Sequence, residues 1–233
     1  MSATAAPPPL PARAADRLRR WGVRGATRRA LELAGRYVKL DSEHVWLEID
    51  LAADFPRCEL DDGLELVRGD ERHLPLLAEL PTMGFRAARR RLAEGGRLWL
   101  VLEQGRPAFA AWTLEGETPV FAAPGGRVKL PDGVVSLEDS VTSPAFRGRR
   151  VAPGAWSAMA QHLNDRGADS LVTTVEAENA AVRRALAKCG FRELCHVRAR
   201  RRGPLMRVEV SEPLVEDEGG RARAAFIAAH LRR

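Results

Sequence analysis

Apolar residues fall into short alternating runs and longer stretches of helical spacing, punctuated by Gly, Pro and Asp. His44–Leu51 alternates as a strand does, with Asp54 and Pro56 behind it to close the run. Leu64–Arg68 predicts a second strand. Gly69 and Asp70 then open a helix through Leu74, Leu77 and Leu80. A further helix carries Phe85, Ala88 and Leu92 and stops at Gly95-Gly96, with Arg86, Arg89, Arg90 and Arg91 on its solvated face. Leu98–Leu102 and Ala108–Thr113 flank a turn at Gly105 and predict an antiparallel hairpin.

Residues 115–134 mix Gly, Pro and short apolar pieces, which reads as a long loop of the kind that binds ligands and is able to hide a short strand. Leu137–Thr142 predicts a central strand, ended by Pro144, which has no N–H for the ladder. A helix from about Val151 follows, with Trp156, Met159, Ala160 and Leu163 as its core stripe and Gly167 past its end. Leu171–Val175 is a buried strand. Asn179 caps a helix whose stripe is Val182, Ala185, Leu186 and Cys189, with Gly190 beyond it. Phe191–Arg198 and Leu205–Val210 predict a last hairpin around Gly203-Pro204, and an Ala-rich helix from Arg221 ends the chain. Strands joined first by turns and later by helices define an α+β fold on a mixed sheet.

Composition narrows the class. The 233 residues suffice for one core with appendages. No apolar run nears the roughly twenty residues of a membrane span, and no apolar stretch precedes the first arginines as in a secretory leader. Cys58, Cys189 and Cys195 have unrelated spacings, which fits neither a disulfide framework nor a metal box but suits a reducing, cytoplasmic setting. The five histidines are scattered and suggest no metal site. No Walker-type or dinucleotide-binding loop is present.

The net charge of +6 is uneven: residues 1–40 hold nine basic side chains against two acidic ones, so the rest is nearly neutral. Residues 1–12 lack a packable pattern, and disorder is expected there. Residues 13–39 are helical in pattern, with Ala26, Ala30, Leu33, Ala34 and Tyr37 on one face. The plainer reading is an accessory helix with a solvated basic face. Docking to an anionic membrane surface, a nucleic acid or an acidic protein is the sharper one. The expected organisation is therefore a basic arm over 1–40, one domain over 41–212, and a linker with a short helix over 213–233.

The densest chemistry lies between the central strand and the helix behind it. Arg147-Gly148-Arg149-Arg150 sets three guanidiniums and a flexible backbone at a helix entrance, where unpaired N–H groups and the helix dipole favour phosphate. With Val151-Ala152 this aligns with a known pyrophosphate turn (Gln or Arg, two residues, Gly, one residue, Gly or Ala). Downstream stand a strand, Asn179, a helix and Gly190-Phe191. In this order the two signatures resemble the GNAT superfamily of N-acyltransferases, over roughly residues 60–210 and most strongly 135–192.

The resemblance implies a mostly antiparallel sheet with flanking helices and acetyl-CoA as co-substrate, with no metal. It places backbone contacts to the CoA arm along Ser140, Val141 and Thr142, the pyrophosphate at Arg147, Gly148, Arg149, Arg150, Val151 and Ala152, and a further contact at Asn179. It also implies an acyl transfer to a primary amine by direct attack. Leu137-Glu138-Asp139 resembles the polyamine-acetylating segment in which the glutamate takes the amine's proton, so Glu138 is the candidate base, ahead of Asp139. Pairing with an arginine is the plainer role for either. The chain departs from the pattern in three places. Arg150 stands at the usual Gly, with its Cβ toward the phosphate. Leu186 stands where a tyrosine acid is common, and Thr174 where enzymes of ribosomal-protein N-termini carry Glu. The expected partner is a small-molecule amine. Contact of residues 13–39 with a membrane surface or anionic polymer, and a homodimer, are further options. The rival reading is a non-catalytic CoA-binding or interaction module with a degenerate site.

Overall fold

Alternation in strand β1 (Lys39–Asp50) sends Val45, Leu47 and Ile49 into one core and Trp46 and Glu48 to the opposite face. The computed structural model describes residues 39–202 and 205–231. The basic arm up to residue 38, with Tyr37, and the Gly203-Pro204 turn lie outside the described residues. β1 starts five residues before the run that alternation alone marks.

After β2 (Leu64–Gly69) the expected helix is a 3₁₀ segment, Glu71–Glu79. Pro75 lies inside it and cannot supply an α-helical donor. The buried leucines 74, 77 and 80 recur every three residues, the period of a 3₁₀ turn. Asp70 caps it through the Arg72 N–H and Nδ1 of His73. Helix α1 (Phe85–Ala93) and the hairpin of β3 (Arg97–Glu103) and β4 (Arg106–Glu115) fall where the pattern puts them. The 115–134 segment holds a small two-stranded sheet, β5 (Glu117–Pro119) with β6 (Arg127–Lys129). Then come β7 (Val134–Thr142), α2 (Val151–Asn164), β8 (Ser170–Glu176) and α3 (Ala180–Lys188). The chain closes with β9 (Arg192–Arg202), β10 (Leu205–Val210) and α4 (Glu218–Leu231).

The main sheet has the order β10-β9-β1-β8-β7-β4-β3-β2. β7 and β8 are parallel, while β1–β8, β2–β3, β3–β4 and β4–β7 are antiparallel. On one face α2 and α3 pack Val151, Trp156, Met159 and Leu186 against Phe109, Ala111 and Leu137. On the other, the 3₁₀ segment and α1 cover Leu98, Leu100, Ala110 and Trp112. The described residues divide into two compact units: 43–198 with 208–231, and 39–42 with 199–202 and 205–207. In the smaller unit Arg200 Nε lies 3.8 Å from Asp41 Oδ2. The candidate site lies wholly in the larger. Among the described residues no helix is long and apolar enough to cross a membrane.

Glu48 is fully buried and is held by Arg192, by Arg223 of α4 and by Ser170 Oγ. The Sγ atoms of Cys58 and Cys189 lie 3.5 Å apart as free thiols, and burial pushes Cys189 up to about 12, which keeps it protonated and unreactive. Gly190 ends α3 at φ +88°, and a Cβ there would lie 2.9 Å from Phe55 Cβ and 3.0 Å from Pro56 Cδ. The Gly of the Gly-Phe signature therefore serves both a left-handed turn and the approach of the segment after β1. Gly190→Ala is expected to cost about 2 kcal/mol or more, from strain and overlap together. The urea midpoint would fall with an unchanged slope.

Candidate active site

β7 has two neighbours, and it leaves one of them halfway along. It pairs with β8 from Val134↔Ser170 to Leu137↔Thr173. Beyond this rung β8 stays with β1, through Thr174↔Trp46 and Val175↔Val45, while β7 stays with β4 as far as Phe109↔Thr142. Thr173 Oγ1 donates to the Leu137 carbonyl at 2.9 Å and closes the last shared rung. Over 138–142, no pairing on the β8 side is found among the described residues. Ser140, Val141 and Thr142 lie on this open edge, which presents backbone donors and acceptors to an extended ligand.

A bulge starts the parting. Three residues of β4, from Ala110 to Trp112, match four of β7, from Val141 back to Glu138. The extra residue is accommodated at Asp139, whose φ is +49°. Simple alternation therefore does not place the two carboxylates. Asp139 is half-exposed and paired with Arg91 Nη1 of α1, the plainer role foreseen for it. Glu138 is directly opposite Trp112, and its Oε1 accepts a 2.7 Å hydrogen bond from Thr118 Oγ1 on β5. Burial pushes the Glu138 carboxyl up to about 7. The Thr118 hydrogen bond pulls it down, the Asp139 charge raises it and the Arg91 charge lowers it.

At the end of β7 a 3₁₀ turn, Pro144–Phe146, leads into Arg147–Arg150 and α2. Gly148 has φ +82° with open space where a Cβ would stand. Arg150 is the N-cap of α2 in the left-handed region (φ 54°, ψ 21°), a conformation in which a non-Gly residue stores about 1 kcal/mol of strain. No side chain caps this terminus and no acidic residue lies in its first turn. The N–H groups of Val151 and Ala152 have no acceptor within the helix, and Pro153 has none to donate. An uncapped, acid-free helix start behind a basic turn fits a pyrophosphate. Arg149 is engaged locally: it donates to Glu103 Oε1 at 2.7 Å and lies 5.0 Å over the Phe146 ring. Arg147 and Arg150 are exposed.

Asn179 caps α3, accepting from the Val182 N–H at 3.3 Å. Ser140 Oγ accepts from Trp156 Nε1 at 3.2 Å. Leu186 is buried in the core, so it offers no polar group at that position. His196, on β9, pairs with Glu43 at 2.8 Å and stands 3.5 Å from Glu193, so two carboxylates hold it. Among the described residues no His, Cys, Asp and Glu cluster suits a metal. α1 and the β5–β6 hairpin border a cavity of about 390 Å³ lined by Met83, Arg90, Arg91, Leu114, Glu117 and Arg127. It adjoins the carboxylate pair through Arg91 and through Glu117, the neighbour of Thr118. Thr118, Arg91 and Glu103 are the site residues that pattern reading misses, because each is joined to its partner only by the fold.

A model of the acetyltransferase (GNAT) family matches residues 70–191, more than half of the chain, and the chain belongs to that family. Among solved structures, a GNAT-family protein of Novosphingobium aromaticivorans is similar at 20% identity and a TM-score of 0.49, covering 69% of this chain and 64% of the other. A GNAT-family acetyltransferase of Colwellia psychrerythraea shows 14% identity and a TM-score of 0.47, with 76% and 62% covered. A GCN5-related N-acetyltransferase of Sphaerobacter thermophilus shows 15% and 0.49, with 77% and 64% covered. The chain thus spans less than two thirds of the length of each of these structures. No curated protein matches it.

The raised Glu138 fixes the sign of a pH effect. Between its unfolded value of 4.5 and about 7 the folded chain keeps a proton that the unfolded chain has lost, so stability falls as pH rises through that window. Glu138→Gln keeps the side chain neutral throughout. The variant is expected to gain thermal stability relative to wild type from pH 4.5 upward, with the difference level above pH 7 and absent below 4.5. Paired melting curves across pH 4 to 9 check it.

Proposed function

We propose that this chain is an N-acyltransferase that moves an acetyl group from acetyl-CoA to a primary amine by direct attack, within a domain spanning residues 41–212. The observation that carries the reading is Glu138 itself, a carboxyl at the parting of β7 and β8 whose proton affinity lies near neutrality. An ammonium has no lone pair and must lose a proton before it can attack. A carboxylate poised near pH 7 is ionised often enough to accept that proton and basic enough to hold it. Glu138 takes it, directly or through one water.

Acetyl-CoA, when bound, supplies an acyl group activated by a thiol leaving group. The open edge at Ser140, Val141 and Thr142 holds its extended arm by backbone hydrogen bonds and directs an N–H at the developing oxyanion. Arg147, Gly148, Arg149, Arg150, Val151 and Ala152 hold the pyrophosphate, and Asn179 lies along the arm. Leu186 offers no proton to a leaving group, so solvent supplies it. The cavity beside α1 and the β5–β6 hairpin admits the amine, a small molecule by this reading.

Calorimetric titration of acetyl-CoA against wild type and the Arg149→Ala/Arg150→Ala double variant tests the donor site. Binding is expected for wild type and is weakened roughly tenfold or more in the variant, since charge-assisted hydrogen bonds to phosphate are lost. With amine acceptors, Glu138→Gln is expected to lower turnover on the order of a hundredfold or more while still binding acetyl-CoA. A wild-type chain that binds neither acetyl-CoA nor longer acyl-CoAs is instead a module without transferase activity.

A further inference from the structure

Buried beneath the 115–134 segment, one hydroxyl meets the candidate base. Thr118 is 1% exposed, at the middle of β5 and opposite Val128, which is equally buried. The hairpin that carries it is fastened at both ends. Leu130 N–H donates to the Gly116 carbonyl at 2.8 Å, Val120 N–H to the Gly126 carbonyl at 3.0 Å, and Arg127 Nε to Glu117 Oε2 at 2.9 Å. Its second strand, β6, packs against α4. A buried hydroxyl is costly without a partner. The partner of this one is a carboxylate oxygen at 2.7 Å, close enough for a charge-assisted bond.

We propose that Thr118 is a positioning residue for the base: its O–H donates to Oε1 of Glu138, which fixes the carboxylate plane and leaves Oε2 to take the amine's proton. This rests on the reading of Glu138 as the base. The small hairpin is then a splint for the carboxylate as well as a wall of the amine cavity. The balance is simple: the N–H bond of the ammonium breaks, an O–H bond forms at Oε2, and the Thr118 proton stays on its own oxygen. The hydrogen bond also favours the charged form, against the burial that opposes it. The charged groups facing Glu138 are Arg91 from α1 and Asp139 on its own strand; from β4 it meets the uncharged indole of Trp112.

The test is an NMR titration of the Glu138 carboxyl carbon in ¹³C-glutamate-labelled full-length protein, assigned by its loss in Glu138→Gln. Thr118→Val keeps the shape and removes the hydroxyl, and is expected to raise the titration midpoint by about one pH unit or more. Thr118→Ser is expected to bring it back to the wild-type value, which a purely packing role would not do. A Thr118→Val midpoint equal to that of wild type overturns the proposal. Should Thr118→Val fail to fold, wild type alone decides: a Thr118 hydroxyl proton protected from exchange and moving with the Glu138 titration supports the contact, and a rapidly exchanging one overturns it. The parent reading fails separately, if Glu138→Gln transfers acetyl groups at the wild-type rate.

Discussion

A strand that leaves its neighbour halfway along the sheet must do something with the hydrogen-bonding groups it uncovers. β7 does this after Leu137, and the other features of the site are arranged around that opening. The last shared rung is tied by Thr173 Oγ1. The bulge at Asp139 bends the strand where the ladder stops. Past the opening the chain turns through Pro144–Phe146 and starts a helix whose N-terminus is left uncapped. Exposed strand edge and bare helix start lie in succession along one segment, one suited to an extended amide chain and the other to phosphate. A fold that satisfied these groups internally would be more stable locally and would have nothing with which to bind.

Within this opening two successive carboxylates are driven apart in character by what surrounds them. Asp139 projects from the bulge to the guanidinium of Arg91 and is half-exposed. Glu138 lies between Trp112 and the β5 strand, with one hydroxyl as its hydrogen-bond partner, and burial outweighs that partner. Two neighbouring carboxyls thus come to differ, one an ion-paired anion and the other a buried group that keeps its proton up to about neutrality, and environment alone decides which is which. At the other end of the opening, Glu103 and Phe146 hold Arg149, which leaves the more exposed Arg147 and Arg150 as the outward-facing cations of the turn.

What the sequence discloses and what it hides follow from the range of each interaction. The strands and most helices are written in local periodicity. Asn179 as a cap and Gly190 as a left-handed terminator are local chemistry too, and the structure shows both in those roles. Glu138 is conspicuous as a carboxylate on a central strand. The 3₁₀ segment was legible in part, since Pro75 and the three-residue spacing of its leucines both speak against an α-helix, although either alone is weak. The bulge is not legible, because it arises from a mismatch between β4 and β7 rather than from either strand. Nor is Thr118, which sits in a short Glu-Thr-Pro run without alternation and meets its partner twenty residues away. Glu103 and Arg149 are separated by 46 residues, and nothing local couples them.

The buried carboxylate of Glu48 bears on the order in which the chain can be completed. It sits on β1, between β9 and β8 in the sheet, while the guanidinium of Arg223 that meets it lies 175 residues later in α4, and that of Arg192 lies 144 residues later. Enclosing such an anion before its cations arrive would leave an uncompensated buried charge, a penalty of about 3–5 kcal/mol. Glu48 is therefore fully compensated only when α4, 175 residues downstream, is in place. Contacts of such sequence separation slow the search for the native state. In the finished fold α4 fastens the first described strand as a clasp made of opposite charges.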